Sequence, residues 1–95
     1  MGKTKVAIIG CGTIAKTAHI PAYLANPNAE IKYFCDEQVE RAEQFVKDYG
    51  CGTAVKDYRD ILNDPELDAV SVCTPNHMHA RVSIDFLRAG KHVLC

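Results

Sequence analysis

Apolar residues fall in short blocks separated by longer amphipathic stretches. "KVAIIG" (5–10) is an unbroken, β-branched run ended by glycine, the pattern of a strand covered on both faces. "EIKYFCD" (30–36), a short "GTAV" (52–55), "DAVSVCT" (68–74) and "KHVLC" (91–95) predict four further strands. Between them the period lengthens to that of a helix. "TIAKTAHIPAYLAN" has helical character, and Pro21 predicts a first helix that stops near His19 and a second short turn from Pro21. "EQVERAEQFVKDYG" predicts a helix with Val39, Ala42, Val46 and Tyr49 on one face, ended by Gly50. "DYRDILND" predicts a short helix capped by Asp57. "HMHARVSIDFLRAG" predicts another, with Ala80, Ile84 and Leu87 as its apolar stripe and Gly90 at its end. Strand and helix alternate with short connections, which predicts right-handed crossovers and a doubly wound parallel α/β sheet, Rossmann-like and ending after its fifth strand.

Composition narrows the function classes. The 95 residues fit one small domain, and eleven Lys and Arg against twelve Asp and Glu are interspersed along the chain, with net charge −1. No basic stripe exists to track a nucleic acid. The apolar runs are too short for a membrane span, and the first is too short for a signal peptide. Five cysteines show no C-x-x-C spacing, and Cys35, Cys73 and Cys95 close apolar runs. They are expected to pack as small core residues in a reducing cytoplasm, not to hold zinc or disulfides.

Candidate chemistry concentrates after the first strand. Gly10-Cys11-Gly12-Thr13-Ile14-Ala15 is G-x-G-x-x-A, between a predicted strand and a predicted helix. Gly10 would make the tight turn, Gly12 would let the backbone approach a pyrophosphate, and Ala15 would let the helix lie on the sheet. The amides of Gly12, Thr13 and Ile14 would face that anion at the positive end of the helix. Asp36, twenty-one residues past Ala15, ends the second strand where a carboxylate accepts bonds from both adenosine ribose hydroxyls. With Glu37 it repels a 2′-phosphate, and no Arg or Lys is adjacent in sequence to offset them, so NAD is expected ahead of NADP. The competing reading is an ordinary turn with Asp36 capping the next helix; strand, spacing, helix and acid together outweigh it.

The later motifs resemble a particular family. Thr74-Pro75-Asn76-His77-Met78-His79 matches a threonine-proline-asparagine-x-x-histidine segment, and Ala89-Gly90-Lys91-His92-Val93 matches "AGKHV", in the glucose–fructose oxidoreductase, inositol dehydrogenase and rhizopine catabolism (Gfo/Idh/MocA) family. "GCGTIAKTAHIPAYL" resembles the family's start, so the likeness spans essentially the whole chain. The resemblance implies a longer enzyme with a dinucleotide domain followed by an α+β domain, transferring hydride between a nicotinamide and a sugar or polyol carbinol. It also implies that the loop Thr74 to Asn76 passes beneath the cofactor's ribose and nicotinamide side, with His79 shaping that end. Pro75 fixes the backbone there, and Asn76 offers donor and acceptor and suits a helix cap. His77 and His79, two apart on a helix, point about 200° away from each other and cannot chelate one metal. His19 and His92 carry no spacing signal.

The family's glutamate-lysine-proline triplet would follow Cys95. No catalytic residue is therefore assigned within 1–95, and this chain alone is expected not to oxidise substrate. The alternative is a non-catalytic module that binds NAD and self-associates. "HVLC" would form an apolar edge, which predicts a homo-oligomer joined at the C-terminal end.

Overall fold

The computed structural model describes residues 3–12, 15–74 and 76–94. Five parallel strands form one sheet: β1 (Thr4–Ile9), β2 (Ala29–Cys35), β3 (Thr53–Val55), β4 (Ala69–Val72) and β5 (His92–Leu94), in the spatial order β3-β2-β1-β4-β5. That order defines a doubly wound sheet whose direction of winding reverses between β1 and β4. All four residues of β4 and the last four of β1 are buried, as continuous apolar runs between two layers of helix require.

One face of the sheet is covered by a π-helical turn (Ala15–His19) running into α1 (Ile20–Ala25), and by α2 (Val39–Tyr49). Pro21 sits in the first turn of α1, where its missing N–H is no loss, so the break expected near His19 becomes a change of helical pitch. Val6, Ile8, Ile20, Ile31, Phe34 and Phe45 form this layer's core. Phe34, Phe45 and Tyr49 are mutually packed with centroids 5.7–6.1 Å apart, fixing α2 on β2. Ala42 is buried, and Val46 and Tyr49 pack against the same core, as the helix pattern implied; Phe45 is the further anchor. Gly50 ends α2 in the left-handed conformation, its N–H donating to the Val46 carbonyl. Ser71, fully buried in β4, is satisfied by the Tyr23 hydroxyl from α1.

The other face carries a 3₁₀ turn (Tyr58–Ile61) and α3 (Asn76–Arg88). Asp57 caps the turn as expected, accepting from the Arg59 N–H at 2.9 Å. The expected face of α3 is overturned. Val82 and Phe86 are 1% and 0% exposed with Met78 packed beside them, whereas Ala80 is exposed and Ile84 and Leu87 are 46% and 58% exposed. Both stripes are apolar at helical spacing; Phe86 has the greater area to bury and meets Tyr58 at 5.6 Å, which sets the rotation of the helix.

Candidate functional site

The carboxyl ends of β1, β2, β3 and β4 open into a cleft of about 790 Å³, at the point where the winding reverses. Ligands bind there in open α/β sheets because the loops diverge to either side. The floor is Ile9, Cys35 and Val82, and the walls include Asp36, Glu37, Lys56, Tyr58, Thr74, Met78 and Arg81.

Gly10 is the hinge of the site. Its N–H donates to the Cys35 carbonyl at 2.7 Å, and the Cys73 N–H donates to the Ile9 carbonyl at 2.7 Å. Gly10 has φ +96°, and a Cβ there would lie 2.8 Å from the Cys73 carbonyl carbon and oxygen and 2.9 Å from the Thr74 nitrogen. Glycine is therefore required for two reasons, the turn and the crossing of two backbones where β1 and β4 part. At Gly12 the situation is opposite: among the described residues nothing lies within 4 Å of an added Cβ, and Gly12 does not itself line the cleft.

Asp36 follows the last residue of β2 and ties the site together. Its Oδ2 accepts the Cys11 N–H at 2.9 Å and its Oδ1 accepts the Gln38 N–H at 2.9 Å, while its own N–H donates to the Val55 carbonyl at 3.0 Å. One carboxylate thus fastens the glycine loop to the start of α2, as a cap does, and keeps unused lone pairs toward the cleft. Beneath the loop, burial and then the Asp36 charge push the Cys11 thiol up to about 12, and burial does the same for Cys35. The thiols are floor, not nucleophiles.

Of the residues singled out from sequence, Gly10, Asp36, Glu37 and Thr74 line the cleft. Thr74 Oγ1 is buried with no hydrogen-bond partner among the described residues, an unspent polar group beside Gly10. Asn76 begins α3; Thr13, Ile14 and Pro75 lie outside the described residues. His79 is half-buried on α3 and does not line the cleft, whereas His77 does. One sequence expectation is corrected: Asp36 is not without basic neighbours, because Arg41, Lys56, Arg59 and Arg81 line the same cleft. They come from α2, the β3 exit, the 3₁₀ turn and α3, so adjacency in sequence could not reveal them.

An open carboxyl-edge cleft, a close-packed G-x-G turn and an acid ending the second strand are the marks of the dinucleotide-binding α/β class. Residues 4–95 match the family described as "Oxidoreductase family, NAD-binding Rossmann fold" (GFO_IDH_MocA), and the chain belongs to it. An uncharacterized oxidoreductase, ORF334 of Rhizobium meliloti, is 36% identical over 95 residues, covering 100% of this chain and 28% of the relative. The D-glucoside 3-dehydrogenase of Escherichia coli K12 is 34% identical over 91 residues, 96% of this chain and 26% of that protein. Among solved structures, KijD10, a 3-ketoreductase from Actinomadura kijaniata in complex with NADP, superposes with a TM-score of 0.90 at 36% identity, over 98% of this chain and 29% of that one. The chain thus spans little more than a quarter of the length of these relatives.

Proposed function

We propose that residues 4–95 are the dinucleotide-binding domain of a longer NAD(P)-dependent oxidoreductase acting on a sugar or polyol CH–OH group. The observation that supports this reading is the Asp36 carboxylate accepting the Cys11 N–H, in a cleft that Gly10 and Asp36 both line. The pyrophosphate would sit over Gly12 and the amides of Thr13 and Ile14, where the open space at Gly12 admits it. Asp36 would take the adenosine ribose hydroxyls on its remaining lone pairs, and Glu37 lies beside it on the rim. The orphan Thr74 hydroxyl, with Pro75, Asn76 and His79 following it, would face the nicotinamide half. When bound, the nicotinamide supplies hydride transfer; this chain's own residues bind and orient it. NAD is preferred to NADP, since Asp36 and Glu37 place two carboxylates at the ribose end. The sugar substrate is supported by the relatives' own names, the D-glucoside 3-dehydrogenase and the 3-ketoreductase, and the 3-ketoreductase is in complex with NADP.

Calorimetric titration of the chain with NAD tests the site. Saturable binding that is lost in Asp36→Ala supports it; binding undiminished in that variant rejects the assigned role of Asp36.

A second reading, self-association, rests on the β5 edge. Leu94 is 51% exposed and lines an apolar groove of about 300 Å³ with Ala18, His19, Ala22 and Tyr23. A second copy meeting this edge would bury both. Light scattering across a concentration series, with Leu94→Lys as the disrupting variant, decides it: a monomer throughout rejects the reading. A cytoplasmic setting is proposed from Cys11, Cys35 and Cys51, which remain thiols.

A further inference from the structure

We propose that the β5 flank of the sheet is a two-fold interface between two copies of this chain, in which the β5 strands pair antiparallel and each α3 packs against its copy. The proposal rests on the self-association reading above and adds the symmetry and a second contact, along α3.

Three observations carry it. First, exposed apolar surface is concentrated on this flank. Among the described residues Leu24, Ile84, Leu87 and Leu94 are the large apolar side chains left exposed, and the last three lie here. Val93 packs against the core of Val82 and Phe86 under α3, so Leu94 leaves β5 on the opposite face, beside Ala22 and Tyr23. On α3, Asp85 accepts the Tyr58 hydroxyl and so faces the 3₁₀ turn, whose Ile61 shares a core with Ala7 and Ile9 of β1. At about 100° per residue, Ala80 and Leu87 turn away from that side, outward past β5.

Second, this edge lacks the features that keep sheet edges apart. β5 (His92–Leu94) carries no Lys, Pro or bulge, and Ala80, Ser83, Ile84 and Leu87 place no charge on the outward side of α3. The Lys91 ammonium, just before the strand, is drawn away to the Asp64 carbonyl at 2.6 Å. The opposite edge differs: β3 exposes no large apolar side chain among the described residues and runs directly into Lys56 and Asp57.

Third, one two-fold axis satisfies both contacts. β5 pairs with β4 in the register Ala69–His92, Val70–Val93, Ser71–Leu94, and the His92 N–H donates to the Asp68 carbonyl. In such a parallel ladder Val93 turns its own N–H and carbonyl outward. Two Val93 residues meeting about an axis perpendicular to the sheet exchange these groups as one antiparallel pair. α3 contacts both β4 and β5, so it lies over the gap between them. With the two β5 strands about 4.8 Å apart, the two α3 axes stand antiparallel and about 10 Å apart, a helix-packing distance. The same axis sends the two clefts, at the carboxyl ends of the strands, in opposite directions and leaves both open. The area buried is on the order of 600 Å² per copy, the low end of specific interfaces, which makes the dimer weak and reversible.

The test is sedimentation equilibrium of the chain from about 10 μM to about 1 mM, with Ile84→Glu/Leu87→Glu on α3 and Thr53→Lys on β3 as the paired variants. All three positions are exposed, and thermal melts at the lowest concentration verify that the variants fold. The wild type is expected to dimerise with a Kd of roughly 10–500 μM. The α3 variant, which sets carboxylates against each other across the seam, should weaken the dimer about tenfold or more, and Thr53→Lys should leave it within about twofold. In the wild type, hydrogen exchange at the Val93 amide should slow about threefold or more from the dilute to the concentrated sample. A monomer at every concentration rejects the self-association reading and this interface with it. A dimer that forms equally well in the α3 variant, or that leaves Val93 exchange unchanged, keeps self-association and overturns this interface.

Discussion

The two ends of the sheet use the same side chains in opposite ways. Toward the amino ends of the strands, the loop before β4 is closed by a saturated charge cluster. Asp64 accepts from the Lys32 ammonium and the Tyr33 hydroxyl, Glu66 takes Lys5 at 3.1 Å and Lys32 at 3.2 Å, and Lys91 donates to the Asp64 carbonyl at 2.6 Å. Among the described residues, at the carboxyl ends Arg41, Lys56 and Glu37 line the cleft without ion partners and Thr74 Oγ1 has no hydrogen-bond partner. One end spends all of these groups on the fold; the other pairs Asp57 with Arg59 and Arg81 with Asp85 but leaves Arg41, Lys56, Glu37 and the Thr74 hydroxyl uncommitted among the described residues. That asymmetry, more than the presence of charge, separates a structural cluster from a site.

The largest expected effect is at the junction of the two regimes. Gly10→Ala forces a Cβ into the Cys73–Thr74 backbone at a positive φ, and should destabilise the chain by roughly 2–4 kcal/mol. The melting temperature should drop by about 10 °C or more, and dinucleotide binding should go with it. A variant that melts like wild type would mean the crossing of β1 and β4 relaxes freely, and would remove the steric reason for glycine there.

Next in size is the clamp. The Lys32 ammonium first, then the Tyr33 hydroxyl and the Glu66 N–H, hold the Asp64 carboxyl well below the usual carboxylate range, and Lys5 and Lys32 lower Glu66. A carboxyl whose folded pKa is depressed stabilises above its unfolded value, near 4, and that stability is lost as pH falls toward the folded value. Melting temperature should therefore hold steady above about pH 5 and decline from about pH 4 downward. Asp64→Asn should lower it at neutral pH by roughly 5 °C and flatten the acid decline, while leaving the NAD affinity within about twofold. A change in affinity as large as that in Asp36→Ala would dissolve the division between the two ends.

How much of this was legible in the sequence follows from how far apart the partners stand. Gly10 and Asp36 announce themselves through fixed spacing from β1, and the parallel, doubly wound sheet follows from the alternation of elements. The clamp does not, because Lys5 and Lys32 meet Asp64 and Glu66 only once the crossovers have brought β1, β2 and the loop before β4 together, across sequence separations of 32–61 residues. The cations at Asp36 were hidden less by distance than by folding: Lys56 comes through the β2–β3 pairing and Arg41 from inside a helix, neither adjacent to Asp36 in sequence. The face of α3 failed differently. Met78-Val82-Phe86 and Ala80-Ile84-Leu87 are both apolar stripes, and periodicity alone contains nothing that ranks them.

Asp36→Ala separates the two regimes at a single residue. It removes an acceptor for the part-buried Cys11 N–H and the exposed Gln38 N–H, so the loss of stability should be about 1–2 kcal/mol, less than for Gly10→Ala. NAD affinity should fall tenfold or more, because the ribose loses its acceptor and the glycine loop its tether. Melting that collapses as in Gly10→Ala would instead make Asp36 a structural residue that happens to face a cleft.

The smallest effect is expected at the floor. Cys11 stands between the two glycines of the loop, yet its Sγ points inward to the Cys35 carbonyl at 3.6 Å, and its thiol is pushed up to about 12 by burial and by Asp36. Against an ordinary thiol near 8.5, that leaves roughly a thousandfold less thiolate at pH 8. Iodoacetamide followed by mass mapping should therefore label the half-buried Cys51 first and leave Cys11 and Cys35 untouched until the chain is unfolded. Saturating NAD should not speed labelling of Cys11, which lies under the loop and does not line the cleft. If Cys11 instead reacts as fast as Cys51 and NAD protects it, the loop opens in solution far enough to expose its underside, and the rim is less preorganised than the clamp opposite it.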